Sequence, residues 1–268
     1  MTSTTLRFAE LQAPASWRVV DFISDLHLQI SEPLTVRAWE QYLARTRADA
    51  VFMLGDLFEV WVGDDGPQAL DDDARFERHC LEVLRATASR RSLYFMHGNR
   101  DFLFGPAAAR AAHLSLLDDP AVLTFGGRRW LLSHGDALCL DDADYLRFRA
   151  QVRTPEWQTS FLAQALDQRR AVARSLRQQS EHRKQSGVPY ADVDAALAHA
   201  WLQAANAHTL IHGHTHKPAD HAMGDSRHRH VLSDWHLDAH TSRAGVLRVQ
   251  LGADGVTEVR RLGLDQVA

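Results

Sequence analysis

The chain has 268 residues, of which 45% are hydrophobic and 24% charged, and its net charge is −4. This composition excludes intrinsic disorder and is typical of a globular protein with a full hydrophobic core. No run of about 18 apolar residues occurs and the first residues do not resemble a secretory signal, so we expect no membrane-spanning helix and a cytoplasmic location. Two cysteines, Cys80 and Cys139, fit no disulfide or metal pattern, whereas sixteen histidines favour metal ligation.

Short apolar runs that end in polar turns predict buried strands along most of the chain. The predicted strands are 17–24, 50–54, 92–96, 128–133 and 209–212. Amphipathic segments separate the first three, one entered near Pro33 and one running from about Asp73 to Ala88. Gly126–Gly127 predicts a hairpin, and the turn at 252–255 predicts another. The pattern predicts an α/β (α+β) assembly of mixed sheets with helices outside.

The segment from Asp141 to Asn206 has no strand signal. Thr154–Pro155 predicts the start of a long helix, with a capping threonine and a proline in the first turn, and apolar residues at helical spacing continue it to Gly187. A second helix follows around Leu197 and Trp201. We interpret 141–206 as an inserted helical cap within a domain that spans 17–268, with 1–16 as an N-terminal extension.

Positive charge is concentrated in this predicted cap. From Tyr145 to Gly187, nine Arg or Lys stand against three Asp or Glu, so the segment carries +6 and the remainder of the chain −10. Such a segment either meets an anionic partner, for example a phosphate-bearing substrate or a membrane surface, or forms a solvated basic helix face.

Five predicted strand ends carry residue types that bind metals. They are D-x-H at 25–27, G-D-x-x-E at 55–59, G-N-x-D at 98–101, H-G-D at 134–136 and G-H-x-H at 213–216. Alternate residues of an extended segment point the same way, so Asp25 and His27 can reach one ion. The absence of thiolates disfavours a structural zinc site, and Mn, Fe, Co or Zn all remain compatible with carboxylate, imidazole and amide ligands.

This series of motifs resembles the calcineurin-like metallophosphoesterases, and the match covers most of the chain. The resemblance implies a four-layer αββα sandwich with a dinuclear metal site at the carboxyl ends of the strands. It implies that one ion is held by Asp25, His27 and His216 and the other by Asn99, His134 and His214, with Asp56 bridging them. Two ions at such a site lower the pKa of a shared water and stabilise an in-line displacement at phosphorus.

Arg100, in the third position of G-N-x-D, narrows the expected chemistry. Most members of the superfamily have a histidine there, which can protonate a leaving group. Guanidinium stays protonated at any working pH, so Arg100 cannot act as that acid, but it can bind phosphate oxygens with two hydrogen bonds. Arg100 can therefore assist the departure of a leaving group that needs no proton, such as another phosphate oxygen. Arg100 therefore favours a pyrophosphate over an alkyl phosphate ester.

Four longer stretches, 53–65, 96–103, 133–149 and 211–218, are similar to the UDP-2,3-diacylglucosamine pyrophosphohydrolases of lipid A biosynthesis. That family implies metal-activated hydrolysis at the α-phosphate, giving UMP and 2,3-diacylglucosamine 1-phosphate. It also implies two Mn²⁺ ions and peripheral contact with the cytoplasmic face of the bacterial inner membrane. We expect no nucleic-acid partner and no stable protein partner.

The same resemblance implies the residues that act on the substrate. Asn99 and Arg100 are the expected catalytic residues, and the expected substrate contacts are Asn99, Arg100, Asp142, Ser180, Lys184 and His214. After the serine the family has an asparagine and then a lysine, whereas this chain reads SEHRKQSG, which leaves the register of Lys184 open. The apolar face of the cap either holds two acyl chains or packs the cap helices onto the body.

The sequence leaves one alternative enzyme function open and disfavours two other functions. A dinuclear-metal phosphodiesterase or nucleotide pyrophosphatase acting on a soluble substrate remains the alternative enzyme. A catalytically silent scaffold is disfavoured because all seven expected ligand positions are filled. A nuclease is disfavoured by the acidic body and by Arg100.

Overall fold

The computed structural model describes residues 8–185, 192–238, 240 and 242–268, without the side chains of 179–185. The helices are α1 (Pro33–Arg45), α2 (Asp72–Ala88), α3 (Pro106–Ala112), α4 (Ala143–Val152), α5 (Pro155–Leu162), α6 (Leu166–Gln185) and α7 (Ala195–Ala204). The strands are β1 (Ala9–Gln12), β2 (Val19–Ile23), β3 (Ala50–Leu54), β4 (Ser92–Met96), β5 (Ser115–Leu117), β6 (Ala121–Phe125), β7 (Arg128–Ser133), β8 (Thr209–His212), β9 (Ala219–Ala222), β10 (His228–Val231), β11 (His236–Leu237), β12 (Ser242–Arg243), β13 (Val246–Leu251) and β14 (Thr257–Leu262).

Two six-stranded sheets form the centre of the molecule. The first has the order β14-β13-β2-β3-β4-β5 and the second β1-β6-β7-β8-β10-β9. Strands β2 to β5 run parallel, because helices cross over between them. Alternate side chains of β2 and β3 point to opposite faces, so Phe22 and Phe52 pack between the sheets while Ile23 and Met53 face the helices.

Helices cover both outer faces. Trp39 and Leu43 of α1 and Leu84 of α2 pack on the first sheet, and Trp201 and Leu202 of α7 pack on the second. Helix, sheet, sheet and helix therefore follow one another, and the predicted four-layer αββα sandwich is confirmed. Burial of each apolar helix stripe against a sheet supplies the main stabilisation of this arrangement.

All five predicted strands form, as do both predicted hairpins, β6–β7 and β13–β14. Strand β1 was not predicted. It pairs in parallel with β6, so residues 9–12 of the predicted N-terminal extension form an edge of the second sheet. The boundaries of the domain and of the inserted cap stay predictions. Within the predicted cap, α7 packs on the sheet as an outer-layer helix does.

The prediction of one long helix from Pro155 was wrong. Thr154 does cap a helix there, accepting a hydrogen bond from the Trp157 amide, but that helix ends at Leu162 and α6 begins at Leu166. Arg169 stabilises the break, because its Nε donates to the Gln164 carbonyl, which lies in the break, at 3.0 Å. Gly187, the predicted end of the helix, lies outside the described residues. Among the described residues, no helix has the length and apolarity to cross a membrane.

Candidate active site

The predicted metal ligands lie just beyond the carboxyl ends of β2, β3, β4, β7 and β8. Five of the seven adopt left-handed backbone conformations, with φ values of 54° at Asp25, 49° at His27, 51° at Asp56, 66° at His214 and 53° at His216. Non-glycine residues rarely adopt this conformation, which costs about 1 kcal/mol or more per residue and is concentrated at functional sites. The backbone at these five residues is therefore locally strained, and this conformation directs their side chains toward one point.

The first group of ligands consists of Asp25, His27 and His216. One ligand atom from each lies within 4.8 Å of the others. His27 Nε2 is 3.4 Å from His216 Nε2, which in turn is 3.3 Å from Asp25 Oδ1. Asp25 Oδ1 is buried and forms no hydrogen bond within the described part of the chain. Two imidazole nitrogens and a carboxylate oxygen that converge in this way fit a divalent cation.

The second group surrounds the amide of Asn99. Asn99 Oδ1 lies 3.0 Å from both His134 Nε2 and His214 Nδ1. Asp56 Oδ2 lies between the two groups, 3.8 Å from His134 Nε2 and 3.9 Å from His27 Nε2. The structure thus brings all seven predicted ligands together, and Asp56 stands where a bridging ligand would. Their division between two ions stays a prediction.

The outward-facing nitrogens of three histidines are held by other groups. His27 Nδ1 is 3.0 Å from Glu59 Oε2, His134 Nδ1 is 2.9 Å from the Leu54 carbonyl, and His216 Nδ1 is 3.4 Å from Asp234 Oδ2. The Leu54 carbonyl fixes the tautomer and the orientation of the His134 ring. The carboxylates beside His27 and His216 are charge contacts, and His27 Nδ1 forms no hydrogen bond within the described part of the chain. Neither Glu59 nor Asp234 was assigned a role from the sequence. Glu59 was visible as the last residue of G-D-x-x-E, and Asp234 as a carboxylate shortly after β10.

Two motif glycines allow the carboxylates to approach the backbone closely. A Cβ atom at Gly98 would lie 2.1 Å from Asp56 Oδ1, and one at Gly213 would lie 2.2 Å from Asp25 Oδ2. Any other residue would displace a predicted ligand, so glycine is required at both positions.

The charges of the site favour a cation. Burial alone would lower the pKa of His134, but the carboxylates of Asp56 and Asp25 outweigh it and raise the pKa to about 9. Burial, together with the neighbouring charge of His134, lowers the pKa of His214 to about 4. The negative charge of the site therefore attracts positive charge, which a divalent ion can supply in place of the proton on His134.

Arg100 is fixed beside the ligands. Its backbone amide donates to Asp56 Oδ1 at 2.8 Å, and its Nη1 lies 3.6 Å from Glu59 Oε1. Arg177 of α6 brings its Nε to 3.0 Å from the same oxygen. Burial would raise the pKa of Glu59, but His27 and the two arginines lower it to about 2, so the carboxylate is ionised. Glu59 thus joins a predicted metal ligand, the predicted phosphate-binding arginine and α6.

The other predicted substrate contacts lie on α4 and α6. Asp142 caps α4, accepting from the Tyr145 amide at 3.1 Å, and the Tyr145 ring stacks on His214 with 6.1 Å between centroids. Arg149 of the same helix donates to Asp136 at 2.8 Å, which ties α4 to the H-G-D motif. The side chains of Ser180 and Lys184 lie outside the described part of the structure, and the substrate roles of all three predicted residues stay predictions.

The two-sheet sandwich, with carboxylates, imidazoles and an amide gathered at its strand ends, defines the class of metal-dependent phosphoesterases. The family model described as calcineurin-like phosphoesterase matches residues 19–218, and the chain belongs to that family.

Three similar proteins are named UDP-2,3-diacylglucosamine hydrolase. The one from Chromohalobacter salexigens is 46% identical over 80% of this chain and 87% of its own length. The one from Chromobacterium violaceum is 45% identical over 81% and 90%. The one from Aromatoleum aromaticum is 46% identical over 81% and 89%. The resemblance predicted from the sequence motifs is confirmed.

Proposed function

We propose that this protein hydrolyses the pyrophosphate bond of UDP-2,3-diacylglucosamine, giving UMP and 2,3-diacylglucosamine 1-phosphate. The observation that carries the proposal is Arg100, a guanidinium held beside the ligand set where it can neutralise a phosphate leaving group without giving up a proton. The names and the high identity of the relatives support the same substrate.

The ligand set fits two divalent metal ions, and we propose Mn²⁺. Asp25, His27, His216 and Asp56 would hold one ion, and Asp56, Asn99, His134 and His214 the other. When bound, such ions activate a water as the nucleophile and neutralise charge on the phosphoryl oxygens. The Arg100 guanidinium lies beside Glu59, which contacts His27, so a phosphate held between the two ligand groups would be within its reach. Arg100 then orients the phosphates and stabilises the charge that develops as the bond breaks.

Helices α5 and α6 suit the lipid part of this substrate. Leu162, Val172 and Leu176 are each about 40% exposed, which is high for large apolar side chains. We propose that this surface receives the acyl chains and that the basic residues of α6 contact anionic lipid at the cytoplasmic face of the inner membrane. The side chain of Arg177, which points to Glu59, brings α6 to the phosphate side of the site.

The direct test incubates the purified, Mn²⁺-loaded protein with UDP-2,3-diacylglucosamine and identifies the products by mass spectrometry. We expect UMP and 2,3-diacylglucosamine 1-phosphate. The matched control is a UDP-sugar without acyl chains, which we expect to be turned over at least tenfold more slowly, because it buries no apolar surface on α5 and α6. Equal turnover of both compounds would instead support a nucleotide pyrophosphatase for soluble substrates.

A further inference from the structure

The two halves of the ligand set differ in the groups that hold their histidines. In the first half, both imidazoles face a carboxylate: His27 faces Glu59 at 3.0 Å and His216 faces Asp234 at 3.4 Å. In the second half, His134 is held by the neutral carbonyl of Leu54 at 2.9 Å. The direct ligands differ in the same direction, because the first half contains Asp25 where the second contains the neutral amide of Asn99.

A carboxylate behind an imidazole makes the opposite ring nitrogen a stronger ligand. The negative charge beside Nδ1 raises the electron density at Nε2 and favours the ring orientation in which Nε2 faces a cation. A backbone carbonyl orients the ring in the same way but carries no charge. Removal of such an outer partner typically weakens metal binding by 10- to 100-fold.

The ion pairs of Glu59 with arginines involve only one of its two carboxylate oxygens. Both of its arginine contacts, with Arg177 at 3.0 Å and Arg100 at 3.6 Å, are made by Oε1. Its other oxygen, Oε2, faces the His27 ring. Glu59 is almost fully buried, with 8% of its surface exposed, and so is Asp234, with 3%. Asp234 Oδ2 also accepts from Arg243 Nη2 at 2.5 Å, and that arginine is half-exposed. Burying a carboxylate is costly unless its interactions repay the lost hydration, and each of these two carboxylates faces a predicted ligand histidine as well as an arginine.

We infer that Glu59 and Asp234 are positioning residues that make the Asp25–His27–His216 position the tighter of two metal sites. The inference rests on the proposed function only through the ligand set. The position around Asn99, His134 and His214 then exchanges its ion more readily, and the first equivalent of metal added to metal-free protein occupies the Asp25 side.

The test titrates metal-free protein with Mn²⁺ alone, following binding by calorimetry and by electron paramagnetic resonance, with no substrate present. We expect two binding steps in the unmodified protein. Glu59→Gln should weaken the tighter step by 10- to 100-fold and leave the weaker step within about threefold. Asp234→Asn should act in the same direction and gives a second, independent variant should one of the two fold poorly. Glu258→Gln, an exposed glutamate paired with Arg260, is the matched control and should bind both ions normally.

Ligand variants assign the two steps to the two positions. Asn99→Ala should remove the weaker step and leave the tighter one, whereas His27→Ala should remove the tighter step. Equal affinities in the unmodified protein, normal binding by both Glu59→Gln and Asp234→Asn, or loss of the tighter step in Asn99→Ala would each overturn the inference. This titration measures metal binding and no hydrolysis. Failure to release UMP would therefore refute the proposed function without affecting this inference, and equal metal affinities would refute this inference without affecting the proposed function.

Discussion

At the scale of single residues, the side chain of Arg100 is expected to bind phosphate, whereas its backbone amide contacts a predicted metal ligand. Its side chain is directed to Glu59, but its contact with the predicted bridging ligand Asp56 is made by the backbone amide. A substitution of the side chain keeps that amide. We therefore expect Arg100→Ala to lower kcat by about 10²- to 10³-fold, the loss typical of one removed transition-state donor, and to change Mn²⁺ affinity by less than about threefold.

The measurement is steady-state hydrolysis of the acylated substrate, with Mn²⁺ binding followed separately. Arg100→Lys should recover part of the rate, because lysine restores the charge but not the two-pronged hydrogen bonding. Arg260→Ala, an exposed arginine of β14 paired with Glu258, is the control and should retain the normal rate. An unchanged kcat in Arg100→Ala would refute the role given to this arginine.

At the scale of elements, Arg169 fixes α6 to the loop that follows β3. It is 1% exposed and donates to the Val62 carbonyl at 2.6 Å, to the Gln164 carbonyl at 3.0 Å and to the Asp65 carboxylate. Arg169→Met keeps the apolar stem but leaves two carbonyls without this donor. We expect a loss of about 2 kcal/mol in the local stability of α6, seen as roughly thirtyfold faster amide exchange in 166–178.

The sheet strands should exchange at their normal rates in this variant, since Arg169 donates to Val62, Asp65 and Gln164, which lie outside the strands. KM for the acylated substrate should rise, because α6 carries Arg177 and the exposed apolar side chains. Arg174→Met places the same residue on the exposed side of the same helix and should leave amide exchange unchanged. Faster exchange throughout the molecule would show instead that Arg169 supports the whole fold.

The sequence predicted those elements whose signals are local. Strands such as β3 and β4 are continuous apolar runs, and the strand-end motifs placed all seven ligands at one edge of the sheets. Strand β1 is only four residues long and half-exposed, so its pairing with β6 left no periodic pattern. Arg169, which stabilises the break between α5 and α6, also donates to Val62, 107 positions earlier in the chain, and no local pattern predicts that contact. Glu59 is part of the G-D-x-x-E motif, but its contact with His27, like that of Asp234 with His216, forms only on folding and could not be predicted.

At the scale of the whole molecule, metal binding, protons and stability are linked. Five ligand residues hold strained backbone conformations, and their carboxylates and imidazoles are brought together at the ends of both sheets. An ion that binds the folded chain and not the unfolded one stabilises the fold by RT ln(1 + [L]/Kd). Saturating Mn²⁺ should therefore raise Tm, and chelation should lower it again.

The increase in Tm caused by Mn²⁺ should become larger as pH rises, because His134 must lose a proton before it can bind the metal. In the metal-free fold the pKa of His134 is raised to about 9, so below pH 9 the ring is mostly protonated, whereas a ligand imidazole must be neutral. Metal binding then releases a proton, and apparent Mn²⁺ affinity should rise by up to about tenfold per pH unit between pH 6 and 9. Calorimetry in two buffers of different ionisation enthalpy measures the protons released, and His134→Gln should release fewer. Affinity that is independent of pH over this range, with no proton released, would show that His134 is already neutral when the metal arrives.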